Sequence, residues 1–252
     1  MTATRPFKLL FSIALMLAIN CIPSAQAQQL LTDSAFYKKS TVKLFENYKQ
    51  DMDPDNQLYN GQEYLRPGHG IKGNPFFLSD SLLAGEIIYN NAFFPDIELQ
   101  YDLVSDDLII ETPTQSASLK LIKEKVTRFS LLRHNFLFLD PGNKATSFMK
   151  PGFYEQLYGT DQDPVALYLR HEKKISLPAN AEEQPIYKQS DSYYLKLNNT
   201  FYRIENKAAL LNAMKDKKNL LKKYMAENQI DFRKDFEKAL IKTAGFYAQL
   251  KP

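Results

Sequence analysis

Cysteine is almost missing: Cys21 is the only one in 252 residues. A lone thiol excludes an internal disulfide, so the fold must hold by packing. Tryptophan is absent too, which leaves tyrosine and phenylalanine to supply all the aromatic surface. No stretch reaches the ~20 consecutive apolar residues that a transmembrane helix requires. The three histidines, His69, His134 and His171, form neither a His-x-x-x-His nor a His-Glu-x-x-His spacing, so zinc is not indicated. No Gly-x-Ser-x-Gly elbow presents a nucleophile. A dominant charge is lacking as well. With 32 basic and 29 acidic residues, the chain gives no reason to expect a nucleic-acid partner.

The first 27 residues read as an export leader. Arg5 and Lys8 form a short positive region, Leu9 to Ile19 an apolar run interrupted only by Ser12, and Ala25-Gln26-Ala27 a small-x-small cleavage site. The expected mature chain begins near Gln28 and works in the periplasm or beyond it. Cys21 falls upstream of the cut, and Asn20 before it is the wrong residue for lipidation. The mature chain, 28–252, is expected to form a single domain with a β body over 28–204 and a helical hairpin over 205–252.

Period-two hydrophobicity marks that body. In Ile97-Glu98-Leu99-Gln100-Tyr101, Ile97, Leu99 and Tyr101 share one face. Ser118 to Ile122 and Val126 to Leu131 follow the same rule, Leu108 to Ile110 is a short strand ended by Thr112-Pro113, and Phe136 to Leu139 is a buried-looking apolar run closed by Asp140-Pro141-Gly142. Further hairpins are expected from Phe153–Tyr158 with Ala166–Ile175, and from Tyr193–Leu197 with Phe201–Ile204 around Asn198-Asn199-Thr200. His134-Asn135 reads as a turn and His171-Glu172 as a charged strand edge. Strands at this spacing predict an antiparallel meander: a barrel, roll or sandwich.

The period then changes to 3.6. Leu210, Leu211, Met214, Leu221, Tyr224 and Met225 make one apolar stripe. Phe232, Phe236, Leu240, Tyr247 and Leu250 make a second, with Asp231 as the expected N-cap. The fold class is therefore α+β, with a C-terminal two-helix hairpin packed on the body. Asp33 to Gln50 carries a further, weaker helical pattern. From Lys207 onward the net charge is +6, against −5 for 28–206, a local asymmetry that suits either an anionic partner or a solvated helical surface.

Two motifs invite chemical readings. Gly68-His69-Gly70-Ile71-Lys72-Gly73 spells a dinucleotide fingerprint, but Asn74-Pro75 follows where a helix should begin, which favours a glycine-bent loop. Asp51, Asp53 and Asp55 stand at alternate positions, as Ca²⁺ ligands do. The loop then carries Asn56 where an EF-hand has glycine and Gln62 where it has glutamate. Ca²⁺ is thus the one cofactor the sequence admits; a solvated acidic turn is the alternative.

Tyr59, Tyr64, Phe76, Tyr89 and Tyr101 crowd into one region and are the candidate ligand-binding residues, since aromatic platforms suit sugars and apolar molecules. The competing expectation is that they fill the core of a disulfide-free β body. Tyr59-Asn60-Gly61-Gln62-Glu63-Tyr64, Gly73-Asn74-Pro75-Phe76-Phe77 and Phe232-Arg233-Lys234-Asp235-Phe236 resemble segments of a group of exported bacterial proteins of unknown function, a resemblance that implies no activity.

These features predict an exported, non-catalytic binding or structural factor. Its partner would be a cell-envelope component or a small apolar or sugar ligand. One alternative is a hydrolase built from clustered Asp and His, which requires a cleft with His69 or His134 within about 3 Å of a carboxylate. Another is docking of the basic C-terminal helices on anionic lipid or polysaccharide.

Overall fold

The computed structural model describes residues 58–68, 70–142, 148–180 and 182–250. The leader, the helix expected over Asp33 to Gln50, the Asp51, Asp53 and Asp55 triplet and His69 lie outside the described residues. The chain divides into the units Met1–Met52 and Asp53–Pro252, and every described residue belongs to the second.

The β body is one antiparallel sheet of eleven strands, running β1-β5-β4-β3-β2-β6-β7-β8-β9-β10-β11. The strands are β1 Gln62–Glu63, β2 Leu83–Tyr89, β3 Ala92–Asp102, β4 Asp107–Glu111, β5 Ser118–Lys120, β6 Val126–Leu131, β7 His134–Leu139, β8 Gly152–Tyr158, β9 Val165–Ser176, β10 Ile186–Leu197 and β11 Thr200–Ile204. The strand order has two free ends, so the meander is not closed into a barrel. It curls enough for the Lys173 N–H on β9 to donate to Leu103 O, just past β3, at 2.9 Å.

Turn chemistry sets the registers. Tyr89 pairs with Ala92, so Asn90 and Asn91 form a two-residue turn with φ of 51° and 63°, values that asparagine tolerates better than most residues. Pro95 sits inside β3 at a bulge, opposite the register shift between Gly85 and Ile87. Asp96 there has φ 54°, and a bulge is where a strand can accommodate proline. The alternation holds: Leu99 and Tyr101 are buried and Ile97 half-buried, while Glu98 faces solvent.

Two local expectations change. Leu131 pairs with His134, so the turn is Leu132-Arg133 and His134 opens β7. His171 lies on β9, a central strand between β8 and β10, rather than on an edge. The glycine loop behaves as a loop: Gly68, Gly70 and Gly73 have φ of 75°, 80° and 92°, and no helix follows them.

Three helices follow β11: α1 Lys207–Ala213, α2 Lys218–Glu227 and α3 Phe236–Gln249. The first expected helix is thus split by a 3-10 turn at Lys215–Lys217. The last begins four residues later than Asp231 would start it. Asp235 is its cap, accepting from Lys238 N at 2.9 Å, whereas Asp231 accepts from Arg233 N in a local turn. Asp235→Ala is expected to cost about 1 kcal/mol, and Asp231→Ala under about 0.5 kcal/mol, as read by urea denaturation.

Leu210, Met214, Leu221, Leu240, Ala244 and Tyr247 bury an aliphatic cluster against Val165, Leu167, Leu195 and Leu197 of the sheet. Tyr247 donates to Asp216, just ahead of α2, and Tyr224 stacks on Phe246 at 3.9 Å, so α2 and α3 form the expected helix pair. The same sheet face carries an aromatic cluster further along: Phe77, Tyr101, Phe129, Phe136 and Phe153, with ring centroids 4.7 to 6.4 Å apart. Between the two clusters lies a seam of ionisable side chains.

Candidate functional site

Alternation along β7, β8 and β9 brings His134, Glu155 and His171 to one face, and β10 adds Asp191 opposite His171. The four form a continuous chain. His134 Nδ1 lies 2.6 Å from Glu155 Oε1, and His171 Nε2 lies 2.7 Å from Glu155 Oε2. His171 Nδ1 lies 2.9 Å from Asp191 Oδ1, which also accepts from Gln189. Phe77 covers both imidazoles, with its centroid 5.0 Å from each. His171 and Glu155 are buried; the side chain of His134, 37% exposed, is the end nearest solvent.

Electrostatics fix the charge states. Burial opposes a cation at His171, but Asp191 and Glu155 outweigh it and lift the imidazole to about 9. Burial likewise opposes charge on Glu155, and the two imidazoles prevail to hold it below the usual glutamate value. The His171 hydrogen bond also depresses Asp191. At neutral pH a doubly donating imidazolium therefore sits between two carboxylates.

The sign for stability follows. A raised histidine contributes fully below 6.5 and loses that contribution as pH rises through about 9. The depressed Glu155 and Asp191 contribute above their ordinary 4.5 and 3.8 and lose it as pH falls. Urea midpoints are expected to be highest between about pH 4.5 and 6.5 and to fall toward pH 9.5, and His171→Gln is expected to flatten that fall.

A second assembly occupies the neighbouring position on β9, whose side chain points the other way. Arg170 Nη2 approaches Asp106 Oδ2 at 3.5 Å, Arg170 Nε approaches Glu172 at 3.3 Å, and the guanidinium lies 5.1 Å from the Tyr154 ring centroid. Asp106 also accepts from the buried Tyr101 hydroxyl at 2.6 Å and pairs with Lys123. Only glycine fits at 152: its φ is 152°, and a Cβ there would stand 2.2 Å from Asp106 Oδ2.

The predicted aromatic residues divide. Phe76, Tyr89 and Tyr101 are buried in the interior, while Tyr59 and Tyr64 are half-buried. Tyr64 donates to Asp102 at 2.7 Å and packs near Phe76, rings 6.1 Å apart. Tyr89 donates to Asn60, and Tyr101 belongs to the aromatic cluster. The five do not assemble into a surface platform, because period-two strands turn their largest side chains toward the core. A hollow of about 510 Å³ nearby is lined by polar groups such as Asn60, Asp107, Lys120 and Glu124 and by none of the five.

A large opening lies among the helices. A cleft of about 960 Å³ is bounded by the residues leading into α1, the end of α2 and the segment entering α3. Met225, Ile230, Phe232 and Phe236 supply apolar walls; Lys207, Lys222 and Arg233 stand around it. Lys207 lies over the Phe232 ring at 5.7 Å. Among the described residues none of these three cations makes an ion pair, whereas the nearby Glu205 is already paired with Arg203 at 3.2 Å. No member of the His134–Asp191 chain lines this cleft.

Glu155 and Asp191 escaped the sequence reading, and Asp106 and Arg170 read there only as part of an acidic turn and a charged edge, although a signal existed. Glu155 stands alone in Phe153-Tyr154-Glu155-Gln156-Leu157, and Arg170-His171 interrupt an apolar strand; ionisable groups in such runs need buried partners. Among the described residues no group of three His, Cys, Asp or Glu is placed to hold a metal ion, and no helix is long and apolar enough to cross a membrane. No protein-family model, curated protein or solved structure matches this chain.

Proposed function

We propose that this protein is an exported, non-catalytic binding factor and that its working surface is the helical cleft. The carrying observation is a contrast in satisfaction. Both oxygens of Glu155 and both ring nitrogens of His171 are taken up by other protein groups beneath Phe77. The cleft cations Lys207, Lys222 and Arg233 have no carboxylate partner among the described residues. Buried, mutually saturated ionisable groups stabilise and specify a fold; open, unpaired ones are available to a ligand. The leader pattern, with Ala25-Gln26-Ala27 at its end, supports export.

A hydrolase is the second reading, and one observation favours it: His134 stands 2.6 Å from Glu155. Against it, Glu155 is shared with His171, and no serine, threonine or cysteine hydrogen-bonds to either imidazole among the described residues. Native mass spectrometry of the protein purified from its exporting host separates the two readings. A retained small molecule, lost on Phe232→Asp but kept on His134→Ala, is expected for the binding factor. Turnover of ester or glycoside panels that His134→Ala abolishes would overturn it.

A further inference from the structure

We infer that the helical cleft takes a single-chain lipid with an anionic headgroup. This rests on the binding reading above and names the ligand class. A plain anion would need only the cations, and a neutral lipid only the apolar walls; this cleft presents both. Phe232, Phe236, Ile230 and Met225 supply its apolar lining, and the Tyr193 ring packs on Phe236 at 5.2 Å. Methionine and phenylalanine adapt to flexible alkyl chains. Lys222 from α2 and Arg233 from the segment before α3 approach the cleft from different elements, so a headgroup between them would be bound from two sides.

Three cations line the cleft against two carboxylates: Glu205 is paired with Arg203, and Asp231 keeps its charge while one of its oxygens accepts from the Arg233 backbone N–H. At about 960 Å³ the half-open cleft is large enough to seat a small molecule. A flat membrane-docking face would instead spread its lysines over an open surface. Here Lys234, Lys238 and Lys242 line an adjoining hollow of about 200 Å³ that shares Gln229, Ile230 and Asp231 with the cleft, while Lys207, Lys222 and Arg233 line the cleft itself.

The test uses the leader-free protein and dodecyl phosphate below its micellar concentration, followed by calorimetry and by NMR of the Phe232 and Phe236 rings. Saturable one-to-one binding that shifts both rings is expected, with affinity falling about fourfold for each methylene removed from the chain. The exposed double variant Lys222→Glu/Arg233→Glu is expected to weaken binding at least tenfold while leaving the urea midpoint within error.

Inorganic phosphate and dodecyl trimethylammonium are expected to leave the rings unshifted. Equal binding of uncharged dodecyl maltoside would overturn the anionic headgroup while the binding reading stands. Association only with intact phosphatidylglycerol vesicles, with no uptake of monomeric dodecyl phosphate, would overturn the lipid site in favour of surface docking. If no amphiphile shifts the rings and the native protein carries no ligand, both readings fall.

Discussion

Glu155→Ala is expected to destabilise the protein by about 3–5 kcal/mol at pH 6, the cost of stripping one partner from a buried charge pair. Two imidazoles lose their shared acceptor at once. His171 then keeps only Asp191, whose side chain is 37% exposed, so all of its remaining compensation comes from a group that solvent also reaches. The loss is read as a shift in urea midpoint at unchanged slope. It should shrink toward pH 9.5, where the His171 cation that needs Glu155 is itself disappearing. Glu155→Gln keeps a side-chain carbonyl as acceptor and should cost less than alanine at both values. A Glu155→Ala cost under about 1 kcal/mol at pH 6 would show that water, not protein, compensates the chain.

The second large effect is expected at Arg170→Met, again about 3–5 kcal/mol. The substitution preserves the aliphatic stem and removes the guanidinium, leaving Asp106 with Lys123 as its remaining cationic partner at 3.4 Å. Burial already raises the Asp106 carboxyl above its ordinary value even though Tyr101 and Arg170 oppose the rise. Removing Arg170 drives it further toward the neutral acid, so the cost should diminish as pH falls toward 4. In Arg170→Met/Asp106→Leu, where neither charge remains, much of the loss should return, as a double-mutant cycle reveals. Persistence of the full loss in the double variant would assign the cost to packing against Tyr154 rather than to the charge pair.

His171, which Glu155 holds, and Arg170 are adjacent in sequence and point to opposite faces of β9. That arrangement explains how a sheet without a disulfide among its strands is pinned across its width. His171 joins β9 to β8 and β10, and Glu155 carries the connection to β7. Arg170 reaches the turn after β3 through Asp106. Lys173 completes the tie from the same strand: its ammonium donates to Phe76 O at 2.6 Å and Asn74 O at 3.1 Å. These last bonds fasten the segment that carries Phe77 over the imidazoles. Directional polar contacts of this kind fix which strands meet, while the aromatic and aliphatic clusters supply the nonspecific drive to bury surface.

Period and turn chemistry were local, and so they were legible. The alternation of Ile97, Leu99 and Tyr101, the Asn90-Asn91 and Asn198 turns, and the apolar stripe from Leu210 to Met225 each depend on neighbours a few residues away. They determined an antiparallel β body followed by helices. Helix starts were less clear, because Asp231 and Asp235 are both acceptable caps by composition; the helix starts after the second, where Phe236 packs against Tyr193. Whether the sheet closed, which aromatics were core and which histidine met which carboxylate depended on strand order and curl. His134 and Glu155 are 21 residues apart, and Arg170 and Asp106 are 64 apart. The cleft needed the α1–α2 break at Met214 and the linker before α3 to take their places. The periodicities were readable along the chain because a side chain's face is set by its own backbone. The tertiary structure alone decided the charge pairs and the cleft, because a buried ion's partner is set by which strands become neighbours.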